Sequence, residues 1–501
     1  MKSKKVYILI ILFILFVILI LIHLANKDDY RKIFSMANDK KIYNEKEEVD
    51  ITKYTYDYDK NELGIPENQL MYLSPSIGGK GELNSDVIEL DKKDAISDVN
   101  FLFDLLKYSY AGYSYFGGDN VWGESKANII NDINLHDNKI SSKELEKMIF
   151  NNMQFIQDGH FTINFKSPLK HYNFYYSEKF KIDEDKNGYY IKNDNIKWYI
   201  KSINNSYNIE DYIKLSINKE GELCKYIGFL DNGSYNNIKV VLQSKDIYKD
   251  IYIKLNSNYN KNSYYNGKEK MAYKYDEIND IPIFTMNRMY NIDSNDNSVE
   301  LFSESANKAK NEDVIILDIR GNNGGSDIAP IDWFVNFIGE APQVQRTSIK
   351  LASLINNHIT KIAAKNIDYE NLSIELKEEY NKELEIANSK ENKWYISSER
   401  EKMYKNKTKI FVIIDNKVAS SGENFLSYLD TLENVVFVGT NTSGSMLSNS
   451  FIQCVLPNSK INISYGNVLT LNNDFIEGKG FEPDLWVAED DVVERILKLI
   501  G

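Results

Sequence analysis

Only two cysteines occur among the 501 residues, Cys224 and Cys454. They lie far apart and fit no metal-ligand spacing, so a disulfide-rich scaffold and a thiolate metal centre are excluded; one bridge or two buried thiols remain. Basic residues are in deficit, with 60 Lys and Arg against 73 Asp and Glu and a net charge of −13. A surface with no basic excess would repel phosphates, so no nucleic-acid partner is expected. Histidine is scarce as well: five residues are the whole supply of side chains that ordinarily titrate near neutral pH. No internal repeat and no low-complexity tract is present. Apolar residues are not lacking, at 43%, enough for one large core or several smaller ones, and the length favours more than one domain.

One long apolar run exists, residues 6–22, extended by Leu24 and Ala25 and preceded by Lys2, Lys4 and Lys5. It has about the length that crosses a bilayer. The run is longer than the core of a cleavable signal, and no small-residue exit precedes Asn26, so residues 1–26 are expected to be an uncleaved transmembrane signal anchor. Positive charge on the amino side places that side in the cytoplasm and the rest of the chain outside. The expected location is the cell membrane, single-pass, with the folded part extracytoplasmic.

Residues 27–91 are polar, carry Pro66, Pro75 and the turn signal Ser76-Ile77-Gly78-Gly79, and are expected to form a stalk or linker. Residues 92–171 contain three stretches of helical spacing, 94–110, 122–135 and 141–155, the last opened by a Ser141–Glu144 capping box. Alternation then predicts a strand at 160–165. Residues 172–275 alternate Tyr, Ile, Val and Phe with Asn, Asp and Gly turns and form a β-rich module. From 276 onward strands alternate with helices, which predicts an α/β layer fold over 276–501: strands at 281–286, 314–317, 410–414 and 435–438, helices at 298–310, 329–338 and 423–432, and a carboxy-terminal β segment. The charged stretch 345–407 has helical periodicity and is expected to be a helical insertion capping that core.

Two bends in this α/β region carry possible chemistry. The run 314–317 empties into Asp318-Ile319-Arg320-Gly321-Asn322-Asn323-Gly324-Gly325, where glycine can turn backbone N–H groups outward as an oxyanion hole. The strand 410–414 breaks at Val418-Ala419-Ser420-Ser421-Gly422-Glu423 before a helix, a turn that exposes a serine hydroxyl and sets N–H groups for an anion. Taken alone, that segment is better accounted for by ordinary helix capping. Of the histidines, His160 stands out, between Asp158-Gly159 and an alternating strand. Glu477 lies in a glycine-rich turn, where it is either solvated or able to orient a histidine.

Taken together, Asp318–Gly325 as D-I-R-G-N-N-G-G, Ala419–Glu423 as A-S-S-G-E, Gly439–Gly444 as G-T-N-T-S-G and Glu477–Asp484 as E-G-K-G-F-E-P-D resemble, in this order, the tail-specific (carboxy-terminal-processing) and tricorn-core serine protease family. The resemblance covers about residues 280–487, with Asp158-Gly159-His160 as an outlying element. It implies an α/β protease core of sheet and helices, often with a PDZ domain; residues 172–275 are then either a divergent PDZ-like module or a β module of another kind. The motif register places the nucleophile at Ser420, with Ser421 second, and the oxyanion donors at the N–H groups of Gly324 and Ser421. Where the tail-specific branch has a lysine base, this chain has Ser445, which cannot accept a proton usefully near pH 7. The other branch implies His160 as base and Glu477 as the residue that orients it. The function expected from the resemblance is a membrane-anchored serine peptidase acting on protein or peptide substrates through a Ser-His-Glu triad, with no metal and no cofactor. A catalytically silent peptide- or ligand-binding scaffold of the same fold is the alternative, and an enzyme acting on other acyl groups a third.

Overall fold

The computed structural model describes residues 30–41, 50–57, 62–75, 87–136, 138–258, 271–365, 369–371, 374–389, 393–472 and 475–501. At its centre is a six-stranded sheet in the order Tyr273–Ile278, Ile281–Met286, Val314–Asp318, Lys409–Ile414, Val435–Gly439, Leu485–Trp486. The first pair is antiparallel and the remaining pairs are parallel. The inner strands are apolar throughout because both faces of the sheet are covered. Residues 315, 317, 412, 414 and 437 pack with Phe302, Trp333 and Phe425 of the helices Ser298–Ala309, Ile328–Ile338 and Ser421–Asp430. Residues 316, 411, 413, 436 and 438 face the other way.

That second face holds a correction. Residues 30–40, expected within a stalk, are helical, and Tyr30, Ile33, Phe34 and Ala37 are buried with the carboxy-terminal helix Val492–Ile500 against the sheet. Their spacing of i, i+3, i+4, i+7 is a full apolar stripe, but it is short and sits in polar surroundings. Phe34 meets Phe411 edge-on with ring centroids 4.9 Å apart, and Asn38 exchanges hydrogen bonds with Asn434. Further along the presumed stalk, Leu73–Pro75 is an edge strand paired with Ser448–Val455. Phe34→Ala should therefore destabilise the core by about 3 kcal/mol in urea unfolding of the chain from residue 27. A change below about 0.5 kcal/mol would mean that the helix does not belong to the core.

A second, antiparallel sheet runs Leu73–Pro75, Ser448–Val455, Asn462–Leu471, Arg346–Ala352, Lys393–Glu399, and the short strand Thr162–Ile163 pairs with Asn462–Leu471. This last pairing fixes the His160 segment to the carboxy-terminal part of the chain. Helices Lys92–Ser109, Gly118–Leu135 and Ser142–Asn152 share one core with this sheet, and the Ser141–Glu144 capping box is present. Only two residues of the stretch 160–165 form the expected strand. The insertion is also not simply helical. Arg346–Ala352 and Lys393–Glu399 form an antiparallel ribbon that brackets the helices Leu354–Ala364 and Ile374–Asn388, because Thr347, Ile349 and Leu351 alternate ahead of the charged run. The carboxy-terminal helix Val492–Ile500 was not expected from the β-like pattern before it.

Residues 172–258 form an eight-stranded antiparallel sheet whose last strand, Asn256–Ser257, returns to pair with Asn173–Asp185, so the sheet curls on itself. No α-helix occurs in this segment, only the 3-10 turn Glu210–Tyr212. Both cysteines are free thiols, Cys454 buried and Cys224 partly so. Among the described residues no helix is long and apolar enough to cross a membrane; the run at residues 6–22 lies outside them.

Candidate active site

The carboxyl ends of the parallel strands, where open α/β sheets bind ligands, bring the motifs together. Ser420 joins the strand Lys409–Ile414 to the helix Ser421–Asp430 with φ 54° and ψ −123°, a strained backbone of the kind found at functional turns. The 318–325 bend packs directly on it. Asn322 anchors the contact: its carbonyl accepts the N–H of Ala419 at 3.0 Å, and its Nδ2 donates to the Met286 carbonyl at 2.9 Å. Gly324, at φ 95°, leaves no room for a side chain, since a Cβ there would stand 2.8 Å from the Ala419 carbonyl oxygen, 2.8 Å from Ser420 Cβ and 3.1 Å from Ser421 N. The buried Asp318–Arg320 pair, bidentate at 2.9 and 2.6 Å, stiffens the bend.

Of the two expected oxyanion donors, the Ser421 N–H has no acceptor among the described residues, and the Ser421 hydroxyl donates to the Gly325 carbonyl. The Gly324 N–H is different. It donates to Asn322 Oδ1 at 2.9 Å, so in this structure it is already engaged.

His160 is held by its main chain, the N–H donating to Asp158 Oδ1 at 2.9 Å, while the buried Asp158 accepts the Tyr110 hydroxyl at 2.8 Å. The imidazole packs on Phe451 with centroids 4.5 Å apart, and its Nδ1 is buried without a partner. Burial lowers its pKa, against the opposing pull of Asp158 and of a hydrogen bond to the Ser448 backbone. A neutral imidazole is the form a general base requires. No hydrogen bond among the described residues joins it to Ser420.

Glu477 also departs from expectation. Its carboxylate does not hold the imidazole: Oε1 accepts the Gly159 N–H at 2.9 Å and Oε2 accepts the N–H groups of Met446 and Leu447, each at 3.0 Å. It thus grips the backbone that carries His160. Burial, followed by the charge of Asp158, raises its pKa well above the carboxylate range.

Sequence reasoning missed the part of four groups: Asn322, Thr442 and Glu423, which are linked to the serine turn, and Asp158, which holds the His160 segment. Glu423 is fully buried and burial pushes it up to about 7, opposed by hydrogen bonds from Thr442, Ser445, Gly444 and Ser420. Only its position three residues after Ser420 marked it, a spacing shared with any capping residue. Because the folded-state value is raised from 4.5, the folded form binds the proton more tightly. The resulting stabilisation is full below about pH 4.5 and lost as pH rises through about 7, worth about 3 kcal/mol. Glu423→Gln removes it, so the stability of the variant relative to the parent should rise by that amount between pH 4.5 and 7 in urea titrations. A difference flat with pH would contradict the shift. Among the described residues no group of His, Cys, Asp and Glu is arranged to hold a metal.

Residues 280–487 match the model of peptidase family S41. No curated protein matches the chain. Among solved structures it is similar to mature CPAF (11% identity, 82% of this chain and 95% of that one, TM-score 0.42). It is also similar to a putative peptidase from Parabacteroides merdae (13%, 82% and 97%, 0.39) and to the photosystem II D1 C-terminal processing protease (10%, 79% and 92%, 0.31). The match to peptidase family S41 falls on the α/β core that carries these motifs, and it supports a serine-type peptidase.

Proposed function

We propose that this serine peptidase hydrolyses protein or peptide substrates outside the membrane with Ser420 as nucleophile and His160 as general base, and that residues 1–26 anchor it. Ser420 Oγ attacks the carbonyl carbon of the scissile bond as His160 takes its proton. The tetrahedral oxyanion is held by the Ser421 N–H and, once it leaves Asn322, by that of Gly324. The amine departs with the proton returned by His160, and water hydrolyses the acyl-enzyme by the same route. Glu477 serves the base by fixing the main chain of Gly159 rather than by touching the ring.

The observation that carries this reading is the Ser420 turn: a serine at φ 54°, at the start of a helix, with Gly324 pressed against it and an uncommitted N–H on the next residue. The Gly324 N–H is engaged by Asn322 and no hydrogen bond among the described residues joins the imidazole to Ser420, so turnover requires a closure that substrate brings about, as in many apo sites. A serine-directed phosphonate should add its mass to the Ser420 peptide alone, and casein cleavage should fall in step with labelling. Adduct on another serine would move the nucleophile.

The anchor rests on the uncharged run at residues 6–22 behind Lys2, Lys4 and Lys5. Residues 23–29 alone would then separate the bilayer from the docked helix at 30–40, at most about 25 Å of extended chain. The site would work close to the membrane surface. Detergent, not high salt or carbonate, should release the full chain from membranes, and release by carbonate would refute the anchor.

A further inference from the structure

Glu423 accepts four hydrogen bonds inside the protein with no cation among its partners. Oε2 takes the N–H groups of Ser420 at 3.2 Å and Ser445 at 2.7 Å; Oε1 takes the Thr442 hydroxyl at 2.5 Å and the Gly444 N–H at 2.7 Å. One oxygen therefore spans from the nucleophile's own backbone to the 442–447 loop. The next residues of that loop, Met446 and Leu447, donate to Glu477, whose other oxygen holds the Gly159 N–H next to His160. Gly159 lies so close that a Cβ on it would come within 2.4 Å of Ser445 Oγ. Nucleophile and base are thus joined by two carboxylates in series, the buried Glu423 and the half-buried Glu477, with a short stretch of main chain between them.

We propose that Glu423 is a positioning residue of the catalytic site: its carboxylate fixes the Ser420 backbone to the 442–447 loop and, through that loop and Glu477, sets where His160 stands. This rests on the assignment of Ser420 and His160 above. The chemistry of the donors makes the role specific to a carboxylate. All four partners give hydrogens, and only a group with two acceptor oxygens can receive them. Glutamine offers one oxygen and turns an NH₂ toward two of the donors, which leaves them unpaired in a dry site and drives the two segments apart. Aspartate keeps both oxygens and the charge, and falls short by one methylene.

The test compares Glu423→Gln, Glu423→Asp and Ser420→Ala in the full-length enzyme, with active sites counted by phosphonate titration and folding checked by thermal melting. For Glu423→Gln, kcat per titrated site should fall about 10²-fold with KM within about threefold, as expected for displaced reacting groups; Glu423→Asp should recover to within about tenfold of the parent. If Glu423→Gln does not fold, Thr442→Val, which deletes one donor at constant shape, should lower kcat about tenfold. A kcat per site within threefold of the parent in Glu423→Gln, or in Thr442→Val where that variant must be used, overturns the proposal, as does an aspartate variant no better than glutamine. If Ser420→Ala is inactive while Glu423→Gln is normal, only the positioning role falls; if Ser420→Ala turns over like the parent, the assignment beneath it falls too.

Discussion

Ser420→Ala should lower peptide turnover by about 10⁴- to 10⁶-fold and abolish phosphonate labelling, with a melting temperature within a few degrees of the parent. The magnitude follows from removal of the only nucleophile: what remains is binding and whatever oxyanion stabilisation the Ser421 N–H supplies, and in serine hydrolases that residue of catalysis is small. The stability estimate follows from the backbone. Ser420 sits at φ 54° whether its side chain is a hydroxymethyl or a methyl group, so the strain is common to both proteins. His160→Ala should be almost as damaging, because nucleophile and base act as one unit. The contrast that makes the test sharp is His171, an exposed imidazole at the rim whose Nδ1 meets the Ser443 carbonyl at 2.9 Å. It touches the loop that Glu423 holds, yet His171→Ala should leave turnover within about threefold. If His171→Ala proves as damaging as His160→Ala, the base has been misassigned.

Gly324→Ala should cost about 10³-fold in turnover. Two effects act in the same place: the alanine must adopt φ 95°, which costs about 1–2 kcal/mol for a residue with a Cβ, and its methyl group would press on the Ala419 carbonyl, Ser420 and the Ser421 amide at about 3 Å. None of these is the far end of a flexible side chain. Relief therefore comes by displacing the nucleophile and the donor N–H together, and loss of one donor alone costs about 10²–10³. Gly339 is the matched control. It closes the helix Ile328–Ile338 at φ 98° with nothing near its missing Cβ, so Gly339→Ala should lose about 1 kcal/mol of stability and keep its turnover. Equal kinetic damage in both variants would mean that backbone strain, not the approach to Ser420, explains the Gly324 result.

The sheet strands were readable because they are short, apolar on both faces and separated by glycine-rich bends, and the positions of Ser420 and Gly324 followed from those bends. Helix 30–40 was not readable: four apolar residues at helical spacing show nothing until the sheet that covers them is known. The bracketing strands of the 345–407 insertion were hidden for a similar reason, since their pairing spans about fifty residues of charged sequence. At the site, residue types were legible and hydrogen-bond partners were not. Nothing in Asn322 announces that its side chain takes the Gly324 N–H, and Glu477 looked like an imidazole partner because its three main-chain donors come from segments more than 300 and about 30 residues away. Glu423 is the clearest case, a residue recognisable as a helix-start carboxylate whose real partners lie in the loop after the next strand.

The most direct measurement is a crystal structure of the phosphonate-inhibited enzyme. With the phosphonyl group on Ser420 Oγ, the account requires the imidazole of His160 to have moved into hydrogen-bond reach of the adduct, about 2.6–3.2 Å, and the phosphonyl oxygen to accept the N–H groups of Ser421 and Gly324, the latter released from Asn322. An adduct on Ser420 with the His160 imidazole out of hydrogen-bond reach and the oxygen bound by other donors would contradict it.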